Sequence, residues 1–412
     1  MKFLLRITQS LSLNAIVAFR MALIGAALWL AANAGSVAQA APIIVNSAAD
    51  GNSPTSPPWL PPPPPACTLR DAITAANTNQ VVRGCAKGDP SPVVDTILFN
   101  LGAGTPTIRL TTMLPVITEP VTIQGDSGGA TRVELDGSKA SQNAAFSGAR
   151  AHGLFLVIGD STIRNLVINR FNGNGIVLTK NTGGGATSFT PPPITDPSNT
   201  NPPPCLARPA EPDCQPGGGG GDPSNPPPYD NTGANNKVIG CFIGTDGAGT
   251  IALGNGSGLL TAGIVTTTNS HTIGGPTAAE RNVISGNIGH GIILGGNNHK
   301  VRGNFIGLDA GGLSPLGNLF DGINVANSLG FGAIGASIDS RGRLDCDSLP
   351  DVQCGNRIAF NARNGISGGF NFHTFLSNSI FSNGALGIDV GPFGLTPNSP
   401  GSSGNFPELS RV

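Results

Sequence analysis

Asn282-Val-Ile284-Ser-Gly-Asn287-Ile-Gly-His290-Gly291-Ile292 is a phrase that returns twice further along the chain. The second copy reads Asn356-Arg-Ile358-Ala-Phe-Asn361-Ala-Arg-Asn364-Gly365-Ile366, and the third Asn378-Ser-Ile380-Phe-Ser-Asn383-Gly-Ala-Leu386-Gly387-Ile388. Asn, Ile, Asn, Gly and Ile fall at offsets 0, 2, 5, 9 and 10 in all three, and the last two copies start 22 residues apart. A repeat of about 20–25 residues is the signature of a solenoid, in which each coil adds a slice to one continuous core. The Ile side chains are expected to point inward, and each Gly to mark a corner of positive φ or close approach. Asn287, Asn361 and Asn383 are expected to stack from coil to coil while bonding backbone groups at the bend. Turns in an ordinary β-sandwich would also be rich in Gly and Asn, but would not hold one spacing three times. The fold expected is all-β: a right-handed, single-stranded parallel β-helix.

Other repeats agree. Arg164 to Ile176 is a looser copy with one extra residue before its Gly-Ile. Gly240-Cys-Phe-Ile-Gly244-Thr-Asp246-Gly-Ala-Gly249 to Asn255 matches Gly303-Asn-Phe-Ile-Gly307-Leu-Asp309-Ala-Gly-Gly312 to Asn318, 63 residues away, a distance read as close to three coils. Charged residues are 11% of the 412, against about a quarter in ordinary domains, which suits stacked sheets with uncharged polar outer faces. No basic stripe is present, so nucleic acid is not an expected partner.

The chain opens like an export signal. Lys2, Arg6 and Arg20 precede an apolar run from Met21 to Ala32, and Ala38-Gln-Ala40 offers a cleavage site. Residues 1–40 are therefore read as a signal peptide cleaved after Ala40. The run is shorter than the roughly 20 residues of a membrane span. The mature chain is expected to be secreted or held at the cell surface, with no transmembrane segment. Removing the three cations takes the formal charge from −1 to −4.

Residues 41–145 read as a cap and first coils, with strands at 42–46, 95–99, 107–110, 121–124 and 131–135. Between them Cys67-Thr-Leu-Arg-Asp-Ala-Ile-Thr-Ala-Ala-Asn77 reads as an amphipathic helix with Leu69, Ile73 and Ala76 on one face. This segment resembles the Cys-Ser-Leu-Arg-Glu-Ala (CSLREA) motif of secreted bacterial β-helix repeat proteins, in the pectate-lyase-like solenoid superfamily. Thr68 and Asp71 stand for the usual Ser and Glu. The resemblance implies a second cysteine in the stretch that follows, where Cys85 lies. It says little about chemistry. The helix is expected to cover an open solenoid end, which otherwise exposes strand edges, with a Cys67–Cys85 disulfide holding it.

Coils are expected over 146–391, interrupted by a Pro/Gly-rich insert at 182–235 that cannot build a core, and followed by a tail at 392–412. Seven cysteines in an exported chain imply disulfides: besides Cys67–Cys85, the neighbour pairs are Cys205–Cys214 and Cys346–Cys354. Cys241, at the place Asn304 holds in the sister repeat, is left as a buried small residue.

Three function classes follow. Gly289-His290-Gly291 resembles a polygalacturonase motif, but the Asn-Thr-Asp, Asp-Asp and Arg-Ile-Lys that accompany it there are missing, and glycosidic cleavage needs paired carboxylates. His290 shares its offset with Asn364 and Leu386, which reads as an exposed variable corner. A lyase would want a Ca²⁺ site; Asp246 and Asp309 are the candidates, yet turn capping suits them better and they are expected to lie far apart along the axis. No catalytic residue, cofactor or metal is assigned. A glycan-binding module would want aromatic platforms, whereas Trp59 and Tyr229 sit in Pro-rich segments. A structural, adhesive or surface-binding role needs no special residues and is the reading adopted, with an extracellular glycan or cell-surface component as the partner.

Overall fold

The computed structural model describes residues 41–51, 65–146, 150–180, 232–328, 332–337, 344, 354–370 and 373–390. The expected 182–235 insert (apart from 232–235), the expected Cys205–Cys214 pair, Cys346, Trp59, Tyr229, the expected signal peptide and the tail lie outside them.

The described residues form a parallel β-helix. A representative coil runs through Lys237–Ile239 in a first sheet, Phe242–Ile243 in a second and Ala262–Thr266 in a third. The next coil repeats this at Thr272–Gly274, Val283–Ile284 and His290–Leu294. Among the described residues the three sheets hold nine, eight and seven strands, every neighbouring pair parallel. Aliphatic columns fill the interior. In the second sheet Ile243, Ile284, Ile306 and Ile358 stand in register, and in the third Ile176, Ile264, Ile292, Ile323 and Ile366 do. All are buried, each stabilising the fold by about 1.5–3 kcal/mol. The two Ile offsets of the repeated phrase are these two columns. The phrase glycines are the close approaches expected. A Cβ on Gly291 would sit 2.5 Å from the Gly322 carbonyl, and one on Gly365 would sit 2.6 Å from that of Gly387.

The N-terminal end is covered by α1, Leu69–Thr78, whose Leu69, Ala72, Ile73, Ala75 and Ala76 are buried. Each residue of the Cys-Thr-Leu-Arg-Asp-Ala motif has a job here. Cys67 is bonded to Cys85. Thr68 is the N-cap: its Oγ1 accepts from Asp71 N at 3.2 Å and donates to Asp71 Oδ2 at 2.8 Å, a variant of the capping box. Thr68→Ala is expected to cost about 1 kcal/mol in chemical denaturation. Arg70 grips Asp50 with two nitrogens at 2.8 and 3.1 Å, and donates to the carbonyls of Met113 and Thr112. It thus ties helix, first strand and first coil together. Burial works against the Asp50 charge, but Arg70 and the Thr111 N–H outweigh it and hold the carboxyl below its usual range.

Three expectations need correction. A second helix, α2 at Ser138–Phe146, was not expected. Residues 232–235 belong to the wall and not to the insert: Ala234 is buried and its carbonyl accepts from Asp160 N. The sister repeats are two coils apart, since Phe242 pairs with Val283 and Val283 with Phe305. The first of these coils takes 41 residues, from Phe242 to Val283, and the second 22, from Val283 to Phe305, so 63 residues make two turns.

Candidate functional site

Polar groups inside the wall form ladders on both sides of the second sheet. One is Asn282, Asn304, Asn356, Asn378: each Nδ2 donates to the Oδ1 of the next at 2.9–3.0 Å. The other is Asn255, Asn287, Asn318, Asn361, Asn383, with Nδ2 to Oδ1 at 2.8–3.1 Å. Each rung also serves backbone. Asn287 accepts from Asn255 N and donates to the Ile243 carbonyl. The ladder expected for Asn287, Asn361 and Asn383 is present, and Asn255 and Asn318 from the sister repeats are rungs of it. Cys241 heads the first ladder in an asparagine position: its N–H donates to Asn282 Oδ1, and its thiol is free and buried. Burial pushes that thiol up to about 11, so it is inert. Cys354 is disulfide-bonded.

The sister loops are insertions between the inward Ile and the second-ladder Asn: 243 to 255 and 306 to 318, against 284 to 287 in the coil between. Each Asp caps its own turn. Asp246 Oδ1 accepts from Thr250 and Ile251 N–H, and Asp309 Oδ1 from Leu313 and Ser314 N–H, at 2.8–3.0 Å. The loops fold over outward phenylalanines, so a Cβ on Gly249 or Gly312 would strike Phe242 or Phe305. On these rings lie Arg132 and Arg281, whose guanidinium carbons are 3.7 and 4.3 Å from the ring centres. The two loops also meet: Ala310 N donates to the Gly249 carbonyl at 2.9 Å. That corrects the expectation that Asp246 and Asp309 lie far apart along the axis. Among the described residues no three metal-ligating side chains cluster.

A third ladder sits where the chain enters the third sheet, and it overturns the reading of His290. This residue is fully buried, because the residue of the next coil lies directly on it. Its Nδ1 is 3.3 Å from Asp321 N and 3.2 Å from Asp321 Oδ2, so it has a partner with or without a proton. Asp321 in turn accepts from Asn364 N and the Ser367 hydroxyl, which receives Asn324 Nδ2. Asn364 Nδ2 reaches Asp389 at 3.5 Å. Burial opposes the Asp321 charge, but His290, Asn364 and Ser367 outweigh it and hold the carboxyl below its usual range. His290 Nε2 has no partner. The outward positions of this sheet read Phe155, Val177, Val265, Ile293, then Asn324, Ser367, Asp389. The polar half lies beside the His290–Asp321 pair, with Asp389 further up the same sheet and reached through Asn364. Sequence reasoning missed Asp321 and Asp389 because neither belongs to a motif; only coil register joins them.

No helix among the described residues is long and apolar enough to cross a membrane. In comparisons with known proteins, the chain matches no family model and no curated protein.

Proposed function

We propose that this is an exported β-helix repeat protein with a structural, adhesive or surface-binding role outside the cell, and with no assigned catalysis. The observation that carries this reading is how the polar groups are used. The ladder asparagines, Asp246 and Asp309 all bond to the wall or to their own turns. Such a wall is a stiff rod, and stiffness serves a spacer or a repeated contact surface. The export-like leader and the resemblance of Cys67–Ala72 to the Cys-Ser-Leu-Arg-Glu-Ala motif support the extracellular setting. An extracellular glycan or cell-surface component is the partner that fits, without cofactor. Calcium is accordingly expected to leave the thermal midpoint unmoved, while Asp309→Ala costs about 1 kcal/mol through two lost N–H bonds. A calcium-dependent rise in the midpoint that Asp309→Ala abolishes would assign a metal site instead.

The buried His290–Asp321 pair, beside the outward Asn324, Ser367 and Asp389, favours a second reading, a polysaccharide-active or glycan-binding face on the third sheet. A screen of the mature protein against polysaccharides, read for both retention and released ends, separates the two. Cleavage lost in Asp321→Asn would replace the structural reading with an enzymatic one.

A further inference from the structure

The column that opens the first sheet carries histidine where the two ladders flanking the second sheet carry asparagine. In register, Asn236, His271, His299, Gly332 and His373 stand one above another. His271 Nδ1 accepts from Asn236 N at 3.2 Å, and His299 Nδ1 accepts from His271 N at 3.3 Å. Each Nε2 is also engaged. That of His271 lies 2.9 Å from Thr268 Oγ1, whose own hydroxyl donates to the Gly233 carbonyl, and that of His299 lies 3.0 Å from the Gly295 carbonyl. The two buried rings stack at 5.3 Å with an interplanar angle of 11°. The His373 ring lies against Gly332, within 2.9 Å of where a Cβ would be. These bonds assign both buried rings as neutral, with the proton on Nε2. With both nitrogens of each ring occupied, neither can ligate a metal.

The geometry points to an acid-responsive joint at this corner of the solenoid, formed by His271 and His299. A proton taken up at Nδ1 turns the acceptor into a donor and breaks the bond to the neighbouring coil. It leaves the N–H of Asn236 or His271 unpaired inside the wall, and it puts a charge against a stacked imidazole. The contrast with His290 is direct, because a carboxylate, Asp321 Oδ2, lies 3.2 Å from its Nδ1. Among the described residues, the charged or titratable neighbours of His271 and His299 are basic. They are each other, His373 beyond Gly332, and the exposed Lys237 and Lys300 one position on in the register.

Burial, and then the His299 imidazole, holds His271 well below its usual value. Burial takes His299 down to about 4. Both folded values lie below the unfolded value of about 6.5. The stability they confer is therefore complete above that pH and is lost as the pH falls through their folded values, about 4 for His299.

Asn236, in the same column, already shows that asparagine fits, so the test is the double variant His271→Asn/His299→Asn in the mature chain. Its thermal midpoint is measured beside the parent's from pH 7.5 to 4.5. The fall in midpoint with acid is expected to be at most half the parent's. Hydrogen exchange at pH 5, corrected for intrinsic rates, is expected to be at least about tenfold faster in the parent than in the variant at Thr272–Gly274 and Lys300–Arg302, as one unit of linked shift would give. His152, lowered by burial to about 4 in another column, contributes equally to both chains and leaves the difference intact. If the double variant does not fold, His299→Asn alone carries the same comparison. Equal acid dependence in parent and variant, or faster exchange confined to other coils, would overturn the proposal.

Discussion

Asn361→Ala is expected to lower stability by about 3–5 kcal/mol. The side chain accepts from Asn318 N and Nδ2 at 3.3 and 2.8 Å, and donates to Asn383 Oδ1 and the Ile306 carbonyl at 3.0 and 3.4 Å. Truncation leaves several of these groups buried and unpaired, each costing about 1–3 kcal/mol, and no water can reach a fully enclosed rung. Asn383 is the internal control. It is the last described rung and only half-buried, so Asn383→Ala is expected to cost about 1 kcal/mol, since water replaces the lost partners. Urea denaturation of both variants checks the pair. Equal, small losses would show that the ladder does not carry the coil contacts assigned to it.

Removal of the cap, residues 67–85, is expected to convert the chain into concentration-dependent assemblies. The two ends of the described solenoid differ. The first coil lies under α1, held by Cys67–Cys85 and the Arg70–Asp50 clamp. The last described strands, His373–Leu376, Ser379–Phe381 and Ile388–Val390, leave Phe375, Ile380 and Ile388 partly exposed. Uncovering the first coil creates a parallel edge complementary to that end. Head-to-tail contacts of this kind do not close, so they grow. Light scattering across a concentration series reads the result. A milder change, Cys67→Ala with Cys85→Ala, keeps the helix but releases the loop it closes, at a cost of about 3 kcal/mol. A deletion product no larger and no less stable than the parent would mean that α1 is not a cap.

Different parts of the fold were legible to different degrees, for reasons visible in single residues. In three coils the second and third sheets are joined by an 11-residue phrase of constant length, while the sister loops lengthen the same junction in two others. The phrase's Ile and Asn positions therefore appear in the sequence as fixed offsets. The first sheet joins the second through turns of unequal length: His271 precedes its ladder Asn282 by 11 residues, and His299 precedes Asn304 by 5. The histidine column was hidden for that reason. His290 was misread because variety at an offset, His against Asn against Leu, resembles a solvent-facing corner. The ladder accepts any side chain that can take an N–H, and the first two do so equally well.

By itself, the sequence determined the all-β solenoid, the inward Ile columns, the Asn ladders, the capping helix and its disulfide. All are set by contacts repeated at fixed spacing or made within about twenty residues. Tertiary structure alone decided which coils touch. It placed Asp246's loop against Asp309's, stacked His271 on His299, and brought Asp321 between His290 and Ser367. Those neighbours are separated by 28 to 63 residues, with turns of different length between them. Sequence distance therefore does not count coils; only the register of the parallel strands does.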